Sequence, residues 1–391
     1  MSLAKSHNVV PPTLASPTVG DGVGYVQPFT QTVATAQAPL PLACGQALSH
    51  AQLQVETYGQ PNADKSNAIL LCHALTGDAH AAGWHTPTDV KPGWWHTLVG
   101  PGRAIDTNRW WVVCSNVLGG CQGSTGPTSP HPATGQPWGL SFPLVTLQDM
   151  VAAQHRLMEA LGIAQWHAVV GGSLGGFQAL LWASQYPSAV RHCVLMATAA
   201  SVSPQAIAFN AVGRYAIMND PTWQHGQYQQ QPQAGLATAR MLAHITYLSE
   251  ASLAQKFGRT MQQANAQLSY TIAAEHEFAV ESYLGYQGRR FVERFDANTY
   301  LYLTKAMDYF DLTQGGQLPL SKALASVQAK SLVLSFTSDW LFPPTEGQAL
   351  ARALRQAGKT VANVVLPSEA GHDAFLLEAD RMAPLITGFL A

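Results

Sequence analysis

The chain alternates between two hydropathy patterns, and a third interrupts them. In "ALSHAQLQVETYG" (47–59), Ala51, Leu53 and Val55 alternate with Gln52, Gln54 and Glu56, a period of two that predicts a half-exposed strand. Three unbroken apolar runs follow: "AILLCHAL" (68–75), "RWWVVCSNVLG" (109–119) and "QWHAVVGGS" (165–173). Each is short, rich in β-branched or aromatic residues, and runs out in Gly, Ser or Asn. These features predict strands of a parallel sheet covered on both faces. Two more such runs, "KSLVLSF" (330–336) and "TVANVVL" (360–366), flank the helical "TEGQALARALRQAG". A further helical stretch, "LVTLQDMVAAQHRLMEALGI", precedes the third apolar run, beyond the Gly/Pro-rich loop "GGCQGSTGPTSPHPATGQPWG". Strands alternating with helices at both ends of the chain predict an α/β fold with a mostly parallel, doubly wound sheet.

The middle breaks this rhythm. "PQAIAFNAVGRYAIM", "AGLATARMLAHITYLSE", "HEFAVESYLGYQGRRFVERF" and "ANTYLYLTKAMDYF" all have helical period, with no strand between them. The expected organisation is a loose tail over 1–28, a core made of 29–199 and 313–391, and a helical cap inserted over 200–312.

Composition narrows the function classes. The 391 residues are 47% hydrophobic and 11% charged, with a net charge of −2, which suits a compact globular protein. No Lys/Arg run points to nucleic acid or a membrane surface. No segment reaches the length of a membrane span, and the opening residues lack the apolar stretch of a secretory signal. The five cysteines are odd in number and scattered without a CxxC, which reads as reduced thiols in a cytoplasmic protein, most of them in or near the core.

The candidate chemistry centres on "VGGSLGGF" (170–177), which contains G-x-S-x-G at Gly171, Ser173 and Gly175. That pattern is common by itself. Here an apolar strand leads in and the helical "LGGFQALLWASQYP" leads out, which is the strand–turn–helix of a nucleophile elbow. A serine needs a base, and the base an orienting acid, following in the order Ser, Asp/Glu, His. "SLVLSFTSDWLFPP" places Asp339 just past one strand, and "TVANVVLPSEAGHDAFL" places His372 past the next. Asp373 and Glu369 are rivals to Asp339, but Asp373 adjoins His372, and neighbours on a loop rarely form the required ring-nitrogen bond. An oxyanion hole would use the N–H of Leu174 and one from the loop "LLCHALTGDAH", with Leu75 as donor. His73 and His80 in that loop have no carboxylate or third His at ligand spacing, so no metal is assigned.

Beyond these residues, "HALTGDAHAAG", "PGWW", "GPGRAIDTNRWWVVCSNVLGGCQGSTGP", "GGSLGGFQAL", "FDANTYLYLTKAMDYFD" and "GHDAFL" resemble the homoserine O-acyltransferases of the α/β-hydrolase superfamily. The resemblance runs from about residue 30 to the C-terminus. It implies transfer of an acetyl or succinyl group from coenzyme A to L-homoserine, in methionine biosynthesis, by a cytoplasmic homodimer. Acetyl-CoA or succinyl-CoA would be a co-substrate, with no permanently bound cofactor. It also implies an acceptor site in which Arg240 and Tyr247 match the family's substrate-binding Arg and Tyr, and Asp373 its amine-binding Asp. Arg240 and Tyr247 are seven apart, two helical turns, and so point the same way. Arg289, Arg290 and Arg294 are candidates for coenzyme A phosphates. Succinyl-using members tend to carry Arg two positions after the triad Asp; here that position is Leu341, which suits a methyl and favours acetyl. "RFDANTYLYLTKAMDYFD" nevertheless resembles the succinyl-using subgroup. Serine as acceptor, and a plain serine esterase or thioesterase, are the other readings.

Overall fold

The computed structural model describes residues 22–263, 268–272 and 277–391. Eight strands form one sheet: β1 (Phe29–Ala34), β2 (Ala51–Tyr58), β3 (Ala68–Cys72), β4 (Trp111–Ser115), β5 (Trp166–Gly172), β6 (Val190–Met196), β7 (Lys330–Phe336) and β8 (Val361–Leu366). Their spatial order is β1-β2-β4-β3-β5-β6-β7-β8. Only the β1/β2 and β2/β4 pairings are antiparallel. The other five are parallel.

Hydropathy and burial agree along the central strands. Every residue of β3, β4 and β5 is buried, as unbroken apolar runs require of strands covered on both faces. In β2 the alternation holds from Ala51 to Val55 and then fails, because Glu56 is buried too. The sequence pattern passes over β6, whose first half carries Arg191 and His192, leaving a short apolar run. Arg191 is exposed, while His192 Nδ1 lies 3.0 Å from the His167 carbonyl of the neighbouring strand.

Helices cover both faces. α1 (Leu147–Ala160) is started by a reciprocal cap between Thr146 and Asp149, and α2 (Leu174–Gln185) springs directly from β5. One face buries Leu147, Phe177, Trp182 and Leu350; the other buries Trp95, Ile105, Phe375 and Met382. Between β6 and β7 come α3 (Pro204–Met218), α4 (Gln233–Tyr247), α5 (Glu250–Phe257), α6 (Ala279–Val292) and α7 (Ala297–Asp308). α8 (Pro344–Gln356) and α9 (Ala379–Leu390) complete the layers.

Two boundaries differ from those expected. Residues 1–21 of the expected tail lie outside the described residues; of the rest, Val26 is buried and its N–H donates to the Trp84 carbonyl at 2.8 Å, while Tyr25, Gln27 and Pro28 are exposed. α7, which helical period groups with the cap, is almost wholly buried in the core layer, and Phe310 just beyond it packs at 4.5 Å against Phe177. Helical periodicity reports one apolar face and says nothing about which partner covers it.

Among the described residues no helix is long and apolar enough to cross a membrane. All five cysteines are free; Cys72, Cys114 and Cys193 are buried, Cys121 partly so, and Cys44 is exposed.

Candidate active site

Ser173, Asp339 and His372 follow three different strands and meet at the carboxyl edge of the sheet, where ligands bind in open α/β sheets. Ser173 sits at φ 57°, ψ −125°, a left-handed region that side chains rarely adopt. Strain of this kind is held by packing on every side. A Cβ on Gly171 would stand 2.1 Å from the Gly175 carbonyl oxygen, and one on Gly175 would stand 2.0 Å from that of Cys72. The glycines therefore let helix α2 press against β3 and β5 while the turn lifts the hydroxyl out.

The Ser173 Oγ lies 2.9 Å from His372 Nε2, and His372 Nδ1 lies 2.9 Å from Asp339 Oδ2. An ionised carboxylate only accepts, so Nδ1 carries the proton and Nε2 is left to accept from the serine. Asp339 is itself oriented: its Oδ1 accepts from the N–H groups of Leu341 (3.0 Å) and Phe342 (2.9 Å). Burial disfavours a charged His372 ring, yet the charge and hydrogen bond of Asp339, with Asp373 nearby, outweigh it and raise its pKa above 6.5. Glu369 is not the partner of the His372 ring nitrogen; its backbone carbonyl accepts from the Ser249 hydroxyl.

Leu75 and Leu174 flank the serine. Leu174 opens α2, so its N–H has no intrahelical acceptor. Leu75 lines, with Ser173, Tyr247, Tyr300, Leu341 and Phe342, a cavity of about 40 Å³. Sites that enclose a whole small molecule run to roughly 300–1,000 Å³. This one has room for a group, not for a molecule.

The cap supplies the charged side of the site. The Arg240 guanidinium lies 5.7 Å from the centre of the Tyr247 ring, and that ring is 5.9 Å from His372. Arg240 donates only a long bond, 3.4 Å, to the Thr76 hydroxyl. Neither Arg240 nor Asp373 has an ion-pair partner within 4.0 Å among the described residues. Burial raises the pKa of Asp373, opposed by the charges of His372 and Arg240. The Tyr247 phenol is likewise raised by burial, against the pull of Arg240. Of the other arginines, Arg290 pairs with Glu293 at 2.7 Å, while Arg294 donates to the Thr76 carbonyl at 3.0 Å.

The roles of three further side chains were not legible in the sequence, although His73 and Glu56 are named there. His73 is buried with Nδ1 2.7 Å from the Ala74 carbonyl and Nε2 accepting from the Val117 N–H at 3.0 Å; burial lowers its pKa and keeps the ring neutral. Gln178 of α2 holds the His73 carbonyl at 3.3 Å. The third corrects an expectation: a carboxylate does accompany His80. Glu56 Oε2 lies 2.9 Å from His80 Nδ1, and its Oε1 lies 2.7 Å from His85 Nε2, bringing three possible metal donors within 4.8 Å of one another. Tyr58 donates to the same carboxylate at 2.8 Å, so both oxygens already have partners. In the sequence Glu56 falls on the outward, polar positions of an alternating strand, so nothing there marks it as buried.

A family model described as alpha/beta hydrolase fold matches residues 67–379. A homoserine O-acetyltransferase of Methanohalobium evestigatum is 53% identical over 354 residues, 90% of this chain and 71% of that one. A homoserine O-succinyltransferase of Halothiobacillus neapolitanus is 51% identical over 97% of this chain and 93% of its own. Among solved structures, homoserine O-acetyltransferase from Bacillus anthracis superposes with a TM-score of 0.86 at 29% identity, covering 94% of this chain and 98% of that one. Esterase E22 superposes with a TM-score of 0.85 at 31% identity, covering 94% and 100%.

Proposed function

This chain belongs to the homoserine O-acyltransferases of the α/β-hydrolase fold, and we propose that it moves the acetyl group of acetyl-CoA onto the hydroxyl of L-homoserine through an acyl-Ser173 intermediate. The supporting observation is a small cavity at Ser173 lined by Tyr247, with Arg240 5.7 Å from that ring and Asp373 next to His372, two opposite charges without ion-pair partners among the described residues. Homoserine is a zwitterion. Its carboxylate suits a guanidinium and its ammonium a carboxylate, and a buried charge left without a counter-charge is costly.

In the first half-reaction His372 Nε2 takes the Ser173 proton as Oγ attacks the thioester carbonyl. The N–H groups of Leu75 and Leu174 hold the resulting oxyanion. The C–S bond breaks, and the departing sulfur recovers the proton from His372. In the second half, homoserine's hydroxyl gives its proton to His372 and attacks the acyl-serine. The bond to Oγ breaks, and Ser173 is reprotonated. The cap excludes water, which would otherwise capture the acyl group.

Leu341 beside the cavity favours a methyl over the carboxylate of a succinyl group, since an apolar wall leaves that charge unpaired. The second reading, succinyl transfer, is favoured by relatives named homoserine O-succinyltransferase that match over nearly their whole length. Product mass spectrometry with L-homoserine and equal acetyl-CoA and succinyl-CoA decides between them: O-acetylhomoserine as the main product is expected, and O-succinylhomoserine overturns the acetyl assignment. Thiol release from acetyl-CoA at the same rate with and without homoserine would return the protein to the esterases.

A further inference from the structure

Arg294 follows the last turn of α6, its N–H donating to the Phe291 carbonyl at 3.1 Å. Its own carbonyl accepts from Gln122 of the Gly/Pro-rich loop at 2.6 Å, so its backbone is fixed from a second side. The guanidinium carbon lies 5.3 Å from the centre of the Phe291 ring, and that ring is buried and stacked on Phe295 at 4.7 Å. From this seat the Arg294 Nη1–H donates to the carbonyl of Thr76 at 3.0 Å.

Thr76 is the residue after Leu75. The turn holding both is closed by the Gly77 N–H, which donates to the Ala74 carbonyl at 2.9 Å. Ala74 C=O and Leu75 N–H belong to one trans peptide and point in opposite directions. The Ala74 carbonyl is engaged by Gly77 and faces His73 Nδ1 at 2.7 Å, which turns the Leu75 N–H the other way. Gln178 of the core holds the near limb of the loop at the His73 carbonyl. The far limb, at Thr76, is held by the cap.

We propose that Arg294 is a positioning residue for the oxyanion hole, a cap side chain that holds the Thr76 carbonyl and so keeps the Leu75 N–H aimed at the reacting oxygen. The inference rests on the assignment of Leu75 as an oxyanion donor. It makes the loop's geometry depend on the seating of the cap, so that the hole is complete only when the cap that shields the acyl-enzyme is in place. A preorganised donor loses most of its value when its aim drifts, because its dipole must then reorient during the reaction.

The competing role is a phosphate contact for the acyl donor, and an uncharged ester separates the two. Acylation by p-nitrophenyl acetate, read as nitrophenolate release without homoserine, involves no phosphate and no acceptor. With Arg294→Met the acylation rate constant for this ester is expected to fall about tenfold with KM little changed and the thermal midpoint retained. Arg294→Lys should recover part of the rate, because an ammonium can still donate to the carbonyl. Wild-type rates with the ester in Arg294→Met, or a defect confined to a raised KM for acetyl-CoA, overturn the proposal. Failure of homoserine transfer in the native protein would overturn the functional reading and leave the acylation comparison intact.

Discussion

The sheet edge and the cap contribute opposite kinds of groups to one site. At the edge every polar atom of the triad is engaged: Asp339 accepts from two backbone N–H groups and faces His372, whose side chain is 3% exposed. The cap instead offers Arg240, a cation without an ion-pair partner within 4.0 Å among the described residues. Burial pushes His244 of α4 down to about 3, and the charges of Arg240, Lys256 and Arg294 add to it. The cap helices also leave Val212, Tyr215, Met218, Ile245 and Tyr286 exposed. The contrast separates two tasks. The triad at the edge is hydrogen-bonded throughout and sets the proton chemistry, whereas Arg240 of the cap and Asp373 beside the triad are left without ion-pair partners among the described residues.

The largest break in this division comes from the edge. Ser173→Ala should abolish acyl-enzyme formation, with turnover falling on the order of 10⁴-fold or more and no mass shift after incubation with acetyl-CoA. An alanine variant that keeps its turnover would sink the covalent mechanism.

Asp339→Asn should lower kcat by roughly 10³–10⁴-fold with little change in KM, since the amide can present its N–H to His372 Nδ1 and impose the wrong tautomer. The pH profile carries the sign. His372 must be neutral to act as a base, and its pKa is raised, so native acylation should rise with pH through a midpoint above 6.5. Removing the Asp339 charge should move that midpoint down. The same raised pKa stabilises the fold fully below 6.5, and that contribution fades as pH climbs through the folded value.

The cap should break differently. Arg240→Met is expected to raise KM for homoserine by roughly 10–100-fold, the range of a charge-assisted hydrogen bond, while the acylation burst with acetyl-CoA survives. Loss of the burst would mean that Arg240 serves the first half-reaction instead.

The smallest effect is expected where the two regions touch. Leu341→Arg should shift the ratio of kcat/KM for succinyl-CoA over acetyl-CoA upward by about tenfold, because a cation would stand where the cavity now has an apolar wall. An unchanged ratio would place donor selection elsewhere.

Much of the edge was legible because each of its parts obeys a local rule. Unbroken apolar runs mark buried parallel strands, glycines around Ser173 mark a turn with no room for Cβ, and chain order narrows the acid and base to residues just past strands. Arg240 and Tyr247 were named through the family resemblance, and their two-turn spacing says only that they share a helix face. Arg294, Gln178 and Glu56 were not legible. Nothing in their neighbourhoods distinguishes them from an exposed helix arginine, a helix glutamine and a strand's outward polar residue, and their partners lie 218, 105 and 24 positions away.

The sequence by itself determined most of the strands and helices, β1 and β6 excepted, the strained turn at Ser173 and the residues able to do acyl transfer, since all of these follow from period, turn chemistry and residue type. Only the tertiary structure decided that α7 joins the core, that Glu56 gathers two histidines, and that a cap arginine reaches the loop beside Leu75. The reason is the same in each case. A side chain's chemistry is local, but its partner is chosen by which surfaces the packed layers bring within hydrogen-bond reach.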